Sequence, residues 1–158
     1  MNSNYLFPSS FKKVGWFIFI PGIILGFIIL FFEPEPEFLD LKLLGYFDGS
    51  LFGDSQRFGV IDNNIFDEIV ALLIIVGGLF VAFAKEKNED EFISKIRLGS
   101  LVWATYANYI ILAITIMFVY DGSFFTVMMI NMFTILIFFI IRFNWMLRKS
   151  QKDLPGEE

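Results

Sequence analysis

The chain of 158 residues is 56% hydrophobic and contains 22 phenylalanines, an apolar share above that of an ordinary soluble domain, and its net charge is −5. It has no cysteine and no histidine, which excludes disulfides, thiolate metal sites and the commonest general base. No catalytic or phosphate-binding motif occurs, so we expect a non-enzymatic protein with no cofactor, no metal and no nucleic-acid partner.

Three stretches without a charged residue are long enough to cross a hydrocarbon core about 30 Å thick: Val14–Phe32, Leu98–Tyr120 and Gly122–Ile141. A fourth stretch, Ile69–Ala84, reaches spanning length if its helix begins near Phe66. The sequence therefore predicts an all-α membrane protein of one domain, residues 1–158. Its four transmembrane helices are expected at about 14–32, 66–84, 88–120 and 123–147.

The distribution of lysine and arginine predicts the orientation, because basic residues are retained on the cytoplasmic side of a membrane. Of the twelve basic residues, only Lys42 and Arg57 fall in the connection 33–65, which is rich in acids. The others precede the first helix, lie between the second and third apolar stretches, or lie at the end of the fourth helix. Both termini, including the tail 148–158, are therefore expected in the cytoplasm, with the connection 33–65 outside.

The first helix resembles a signal peptide only in the two lysines before it. Its apolar run is too long, and "EPEPEF" follows where small residues would mark a cleavage site, so we expect an anchor that stays. Gly22 and Gly26 are spaced to admit a neighbouring helix, and Pro21 can kink this helix. The alternative is that these residues have no special role, because glycine and proline are frequent in membrane helices.

The outer connection carries large apolar residues around Asp48 and Gly49, a dipeptide suited to a tight hairpin turn. Its acids lack the glycine and the ligand series of a calcium-binding loop. Asn64 is placed to cap the second helix, with Asp67 three residues later.

The stretch "AKEKNEDEFISKIRL" predicts an extension of the third helix into the cytoplasm. If a helix begins at Asn88, its first turn is acidic and apolar side chains follow on one face. The acidic residues are Glu89, Asp90 and Glu91, and the apolar ones are Phe92, Ile93 and Ile96. Two readings stay open: a solvated helix start beside the bilayer, or a docking face for a cytoplasmic partner.

Only "YDGS" separates the third and fourth spans, which predicts a tight antiparallel hairpin with Asn108 and Thr134 at the same depth. Polar residues recur on one stripe of each helix. They are Thr105, Asn108, Thr115, Asn131 and Thr134. The stripe can be a hydrogen-bonded seam between the helices or a polar path for a solute; the absence of a mid-membrane charge favours the seam.

Arg142 is the one charge inside the fourth span, near its predicted cytoplasmic end. It is expected to extend to the lipid headgroups together with Trp145 and Arg148. A specific lipid phosphate or a partner's carboxylate is the alternative for Arg142.

At "KEKNEDEFISKIRLGSLVWATYANYI" and "NMFTILIFFIIRFN" the chain resembles a group of small bacterial four-helix membrane proteins that have no assigned activity. The resemblance covers roughly residues 67–147. It implies a bacterial inner membrane and transfers no site.

Two functions are compatible with these features. The first is a non-enzymatic scaffold or regulatory subunit, with a membrane or cytoplasmic protein partner. The second is a small transport or channel component that works as a homo-oligomer along the polar stripe.

Overall fold

The computed structural model describes residues 5–32, 34, 36, 39–45, 59–87, 90–120 and 122–153. In chain order the elements are α1 (Ser10–Phe32), β1 (Asp40–Gly45), β2 (Gly59–Asn64), α2 (Phe66–Phe83), α3 (Glu91–Phe118) and α4 (Gly122–Asp153). All four helices are long and apolar enough to cross a membrane. The prediction of four helices that can span a membrane is confirmed by their length and composition. The structure also contains a two-stranded sheet between α1 and α2.

The helix ends differ from the predicted ones where capping or charge decides them. α1 begins at Ser10 and α4 continues to Asp153, because a helix need not stop where its apolar span meets charged residues. The expected start of the third helix at Asn88 is wrong. α3 begins at Glu91 because the side chain of Asp90 accepts a hydrogen bond from the backbone nitrogen of Ile93 at 2.8 Å, an N-cap.

α1 and α2 pack closely because glycines face the opposite backbone. A methyl group at Gly77 would lie 2.7 Å from the backbone nitrogen of Phe19, and one at Gly15 would lie 2.8 Å from that of Val81. Gly22 and Gly26 also face α2, through Ile74. The spacing of small residues in α1 is therefore a packing face, and α1 continues as one helix through Pro21.

β1 and β2 pair antiparallel with Gly45 opposite Gly59. The turn expected at Asp48 and Gly49 falls in the connection between the two strands. Asp48 and Gly49 themselves lie outside the described residues. The N-cap of α2 is Ile65, without a side-chain capping bond, so the expected cap at Asn64 is wrong by one residue. Asn64 ends β2, and its side-chain oxygen accepts a hydrogen bond from the backbone nitrogen of Phe66 at 3.1 Å.

The two helix pairs, α1 with α2 and α3 with α4, meet mainly through α2 and α4. The ring centroids of Phe83 in α2 and Phe139 in α4 lie 5.5 Å apart. Phe139 and Phe143 are fully buried. These contacts lie at the end of the bundle where α1 and α3 begin and α2 and α4 end, called here the termini end. In α3, no described residue beyond Asn108 is buried.

Candidate functional site

Charged side chains from three parts of the chain meet at the termini end. Lys12 at the start of α1 donates a hydrogen bond to the carboxylate of Glu86, which follows α2. Arg97, in the second turn of α3, and Lys12 both lie beside the ring of Phe143 in α4. We call these four residues, Lys12, Glu86, Arg97 and Phe143, the charged junction. It brings together residues from or adjacent to all four helices.

Arg97 is the most buried charged residue among those described, with 8% of its surface exposed. Its guanidinium donates a hydrogen bond to the backbone oxygen of Ala84 at 3.2 Å, and its central carbon lies 5.1 Å from the Phe143 ring centroid. Ala84 is the C-cap of α2, where unpaired carbonyls carry partial negative charge. Arg97 therefore links the end of α2 to the core of α4.

The segment before α1 reinforces the same end of α2. The backbone nitrogen of Phe7 donates to the oxygen of Phe83 at 3.0 Å, and the nitrogen of Lys85 donates to the oxygen of Phe7 at 2.9 Å. The rings of Phe7 and Phe11 each pack edge-on against Phe80, at 5.1 and 5.0 Å. The described residues before α1, 5–9, are thus held against the end of α2 through Phe7.

The charged junction was not predicted, because the basic residues of the sequence indicated only the topology. A usable signal was present in α3: Arg97, Ser100, Ala104 and Asn108 are the buried residues of this helix, and they recur at spacings of three and four. Apart from the arginine, this stripe is made of small or amide side chains. That pattern indicates a face packed against other helices, on which Arg97 also lies.

The polar stripe joins α3 to α4 through one pair of residues. The amide nitrogen of Asn131 donates to the Asn108 oxygen at 3.2 Å, and the reciprocal bond measures 3.4 Å. Asn108 is 5% exposed. The expected opposition of Asn108 and Thr134 is wrong by one helical turn, because Asn131, three residues earlier on the same face, takes that place.

The three threonines of the stripe bond to their own helices. Thr105 donates to the oxygen of Leu101, Thr115 to those of Ile111 and Leu112, and Thr134 to that of Ile130, all at 2.9 or 3.0 Å. Their hydroxyls are therefore satisfied within one helix. The seam between α3 and α4 consists of Asn108 and Asn131, and the threonines do not extend it.

The predicted docking face at the start of α3 is divided in two. Ile93 and Ile96 pack against the hydrophobic core, so they do not offer a free surface. Phe92 is 54% exposed, and the neighbouring Asp90 and Glu91 are exposed as well. The accessible part of the face is therefore Asp90, Glu91 and Phe92, while Glu89 lies outside the described residues.

Arg142 differs from the two residues grouped with it. Its guanidinium carbon lies 4.6 Å from the ring centroid of Trp103 in α3, and the residue is partly buried. Trp145 and Arg148 are exposed. Arg142 therefore packs between the helices instead of simply extending along the surface of α4.

Within the described part of the chain, no three acidic, cysteine or histidine side chains are grouped so that they can hold a metal ion. Comparison with known proteins finds no family model, no curated protein and no solved structure that matches the chain.

Proposed function

We propose that the protein is a multi-pass protein of a bacterial inner membrane, with both termini in the cytoplasm, and that it acts as a non-enzymatic scaffold or regulatory subunit. The observation that carries this proposal is the contrast at the termini end. The charges of the junction bind one another and the backbone, whereas Phe92 is exposed beside two carboxylates.

The orientation is supported by where the charges lie on the helices. One basic residue in each of three helices lies about one membrane thickness from the far end of its helix. Lys12 is 20 residues from Phe32 in α1, Arg97 is 21 residues from Phe118 in α3, and Arg142 is 20 residues from Gly122 in α4. At 1.5 Å per residue this is about 30 Å, the thickness of the hydrocarbon core. All three then reach the same membrane surface, and the excess of basic residues there favours the cytoplasmic side.

The hairpin geometry supports a rigid second helix pair. α3 ends at Phe118 and α4 begins at Gly122, and the asparagine pair joins the two helices about 14–15 Å further along. We infer a tight antiparallel hairpin that crosses the membrane as a unit. Such a hairpin holds the start of α3 in a fixed position relative to the membrane surface.

The accessible acidic and aromatic surface favours a partner of complementary chemistry. Asp90 and Glu91 attract a basic segment, and Phe92 offers an apolar anchor that ordinary solvation of a helix start does not require. We therefore propose a cytoplasmic protein segment with basic and apolar residues as the partner. The lipid bilayer covers the exposed apolar sides of the four helices.

The transport alternative has weaker support. A polar path needs side chains whose hydrogen-bonding groups face a solute, whereas the stripe threonines bond to their own helices and the two asparagines bond to each other. Without an intramembrane acid or base, a proton or ion also lacks a partner along this stripe.

Single-cysteine labelling tests the orientation, because the chain has no native cysteine. Lys42 in β1 and Lys87 after α2 are both exposed. A membrane-impermeant maleimide applied to intact cells should label Lys42→Cys, and should label Lys87→Cys only after the membrane is opened. The reverse pattern would contradict the proposed topology.

Photo-crosslinking tests the docking role. A photoreactive residue at position 92 should capture one heterologous protein in stoichiometric amount, and the same residue at exposed Ser94, on the opposite side of the helix, should not. Equal capture at both positions, or none at position 92, would refute docking. A homo-oligomer whose ion flux disappears in Asn108→Leu would instead support the transport function.

A further inference from the structure

Arg142 lies at the boundary of the membrane core. It is the one charged residue between Gly122 and Trp145, and it follows Gly122 by 20 residues (142 − 122), about 30 Å of helix. That length equals the thickness of a hydrocarbon core of about 30 Å. The backbone of Arg142 therefore reaches the level where acyl chains meet phosphate groups.

The side chain of Arg142 points away from that boundary. Helical side chains lean toward the N-terminus of their helix, which in α4 is the far end of the membrane span. The guanidinium carbon of Arg142 lies 4.6 Å from the centroid of the Trp103 ring. The same ring has its centroid 6.3 Å from that of Phe138, which precedes Arg142 by one turn in α4. The guanidinium is therefore held on the hydrocarbon side of its own backbone.

In this position the guanidinium needs an anion. Its Nε–H is buried and has no hydrogen-bond partner among the residues that the structure describes. The Trp103 ring attracts the cation through its face but accepts no hydrogen bond in the guanidinium plane. Because the chain itself covers the Nε–H while Arg142 as a residue is partly exposed, an acceptor from outside the chain would bind the terminal N–H groups of the guanidinium and would stabilise its charge in this position.

The surroundings favour a lipid as the source of that acceptor. Trp145 and Lys149 follow Arg142 by three and seven residues, which places them on the same face of α4, and both are exposed. Trp145 and Trp103, at 60% and 43% exposure, have the amphipathic rings that lie among headgroups. Lys149 adds a second positive charge two turns beyond Arg142, toward the aqueous side.

We propose that Arg142, stacked on Trp103 and flanked by Trp145 and Lys149, is a binding site for the phosphate of an anionic phospholipid headgroup. A guanidinium held over a ring face can still bind two phosphate oxygens through its terminal N–H groups, without the buried Nε–H. The second cation, Lys149, makes the site prefer a headgroup with net negative charge. The site is separate from the proposed docking surface and does not depend on the scaffold function.

Native mass spectrometry of the full chain in mild detergent tests the proposal, with phosphatidylglycerol titrated against phosphatidylcholine. The wild-type protein should retain one phosphatidylglycerol in preference to phosphatidylcholine. Arg142→Gln should weaken phosphatidylglycerol binding about tenfold or more, as expected for a charge-assisted hydrogen bond. Lys13→Gln, which removes one exposed positive charge at the same end of the bundle, is the matched control and should change binding less than about twofold.

A second variant separates the site from general charge attraction. Trp103→Leu keeps every charge but removes the ring that positions Arg142, and it should weaken phosphatidylglycerol binding several-fold while the circular dichroism of the helices is unchanged. This variant also decides the matter if Arg142→Gln fails to fold. Full affinity in Trp103→Leu, equal losses in Arg142→Gln and Lys13→Gln, or equal binding of the two lipids would each overturn the proposal. Competition by excess inorganic phosphate that displaces the lipid completely would show a free-anion site instead.

Discussion

Replacing Gly77 by alanine tests the close contact between α1 and α2. The added methyl group would lie 2.7 Å from the backbone nitrogen and 2.9 Å from the Cα of Phe19. Carbon atoms in contact are about 3.5–4.0 Å apart, so α1 must move away by roughly 0.6–1 Å. The obstacle is backbone rather than a flexible side chain, which prevents a local rotamer change from relieving it.

The expected cost follows from two opposing effects. Overpacking of this kind costs about 1–3 kcal/mol, whereas removing a glycine from a helix interior stabilises the helix by about 0.5–1 kcal/mol. Gly99 in α3 separates the two effects, because no other described atom lies within 4 Å of the position its methyl group would take. Gly99→Ala should therefore show the gain alone, and Gly77→Ala should be less stable than Gly99→Ala by about 1–3 kcal/mol.

Unfolding in mixed micelles of a mild and a denaturing detergent measures this difference. Trp16 lies on α1 and packs against the hydrophobic core, which includes Val70, Ile74 and Val81 of α2, so its fluorescence should change when α1 separates from the core, once Trp103 and Trp145 are replaced by phenylalanine. The midpoint of Gly77→Ala should fall below that of Gly99→Ala in this background. Equal midpoints would show that α1 and α2 are not in backbone contact at Gly77, and the packing argument would fail.

Four further replacements test three contacts by the same unfolding measurement. Asn108→Leu and Asn131→Leu should each cost about 1–3 kcal/mol, and the double variant less than their sum by about 0.6–2 kcal/mol; additive costs would contradict the reciprocal bonds. Arg97→Ala should cost about 1.5–3 kcal/mol, against less than about 0.5 kcal/mol for the exposed Lys95→Ala, and equal costs would contradict the burial of Arg97. Asp90→Ala should cost about 0.5–2 kcal/mol and increase amide exchange in the first turn of α3. Unchanged exchange there would contradict the N-cap at Asp90.

The number of helices and their approximate bounds follow from the sequence because one physical requirement controls them. A span must cover the hydrocarbon core without an unpaired charge, and the positions of charged residues show where that is met. The exact helix ends depend on weaker local interactions. The third helix was predicted to begin at Asn88, but α3 begins at Glu91 because Asp90 is its N-cap. Asparagine and aspartate are both favourable N-cap residues, so residue type alone does not distinguish Asn88 from Asp90.

The depth of a residue along its helix could be predicted only to within about one turn. Counting residues from the turn placed Asn108 and Thr134 together, and the observed partner, Asn131, is one turn away on the same face. Counting fixes height within about one turn, but the tilt and crossing of two helices decide the final pairing. In the same way, the pattern identified Ile93 and Ile96 as one apolar face, but only the fold shows that the core covers them.

The polar contacts at the termini end have a disproportionate effect on how the two helix pairs assemble. In a lipid environment apolar surfaces gain little from leaving the solvent, so helices associate through close packing and through hydrogen bonds. α1 and α2 have close packing through glycines along much of their length, whereas α3 and α4 have their buried residues in the half that includes Arg97, Asn108 and Phe143. The association of the pairs therefore depends on one end of the bundle. The exposed Phe92 and the proposed lipid site at Arg142 lie at that same end, so binding at either position is expected to act directly on the contacts that hold the pairs together.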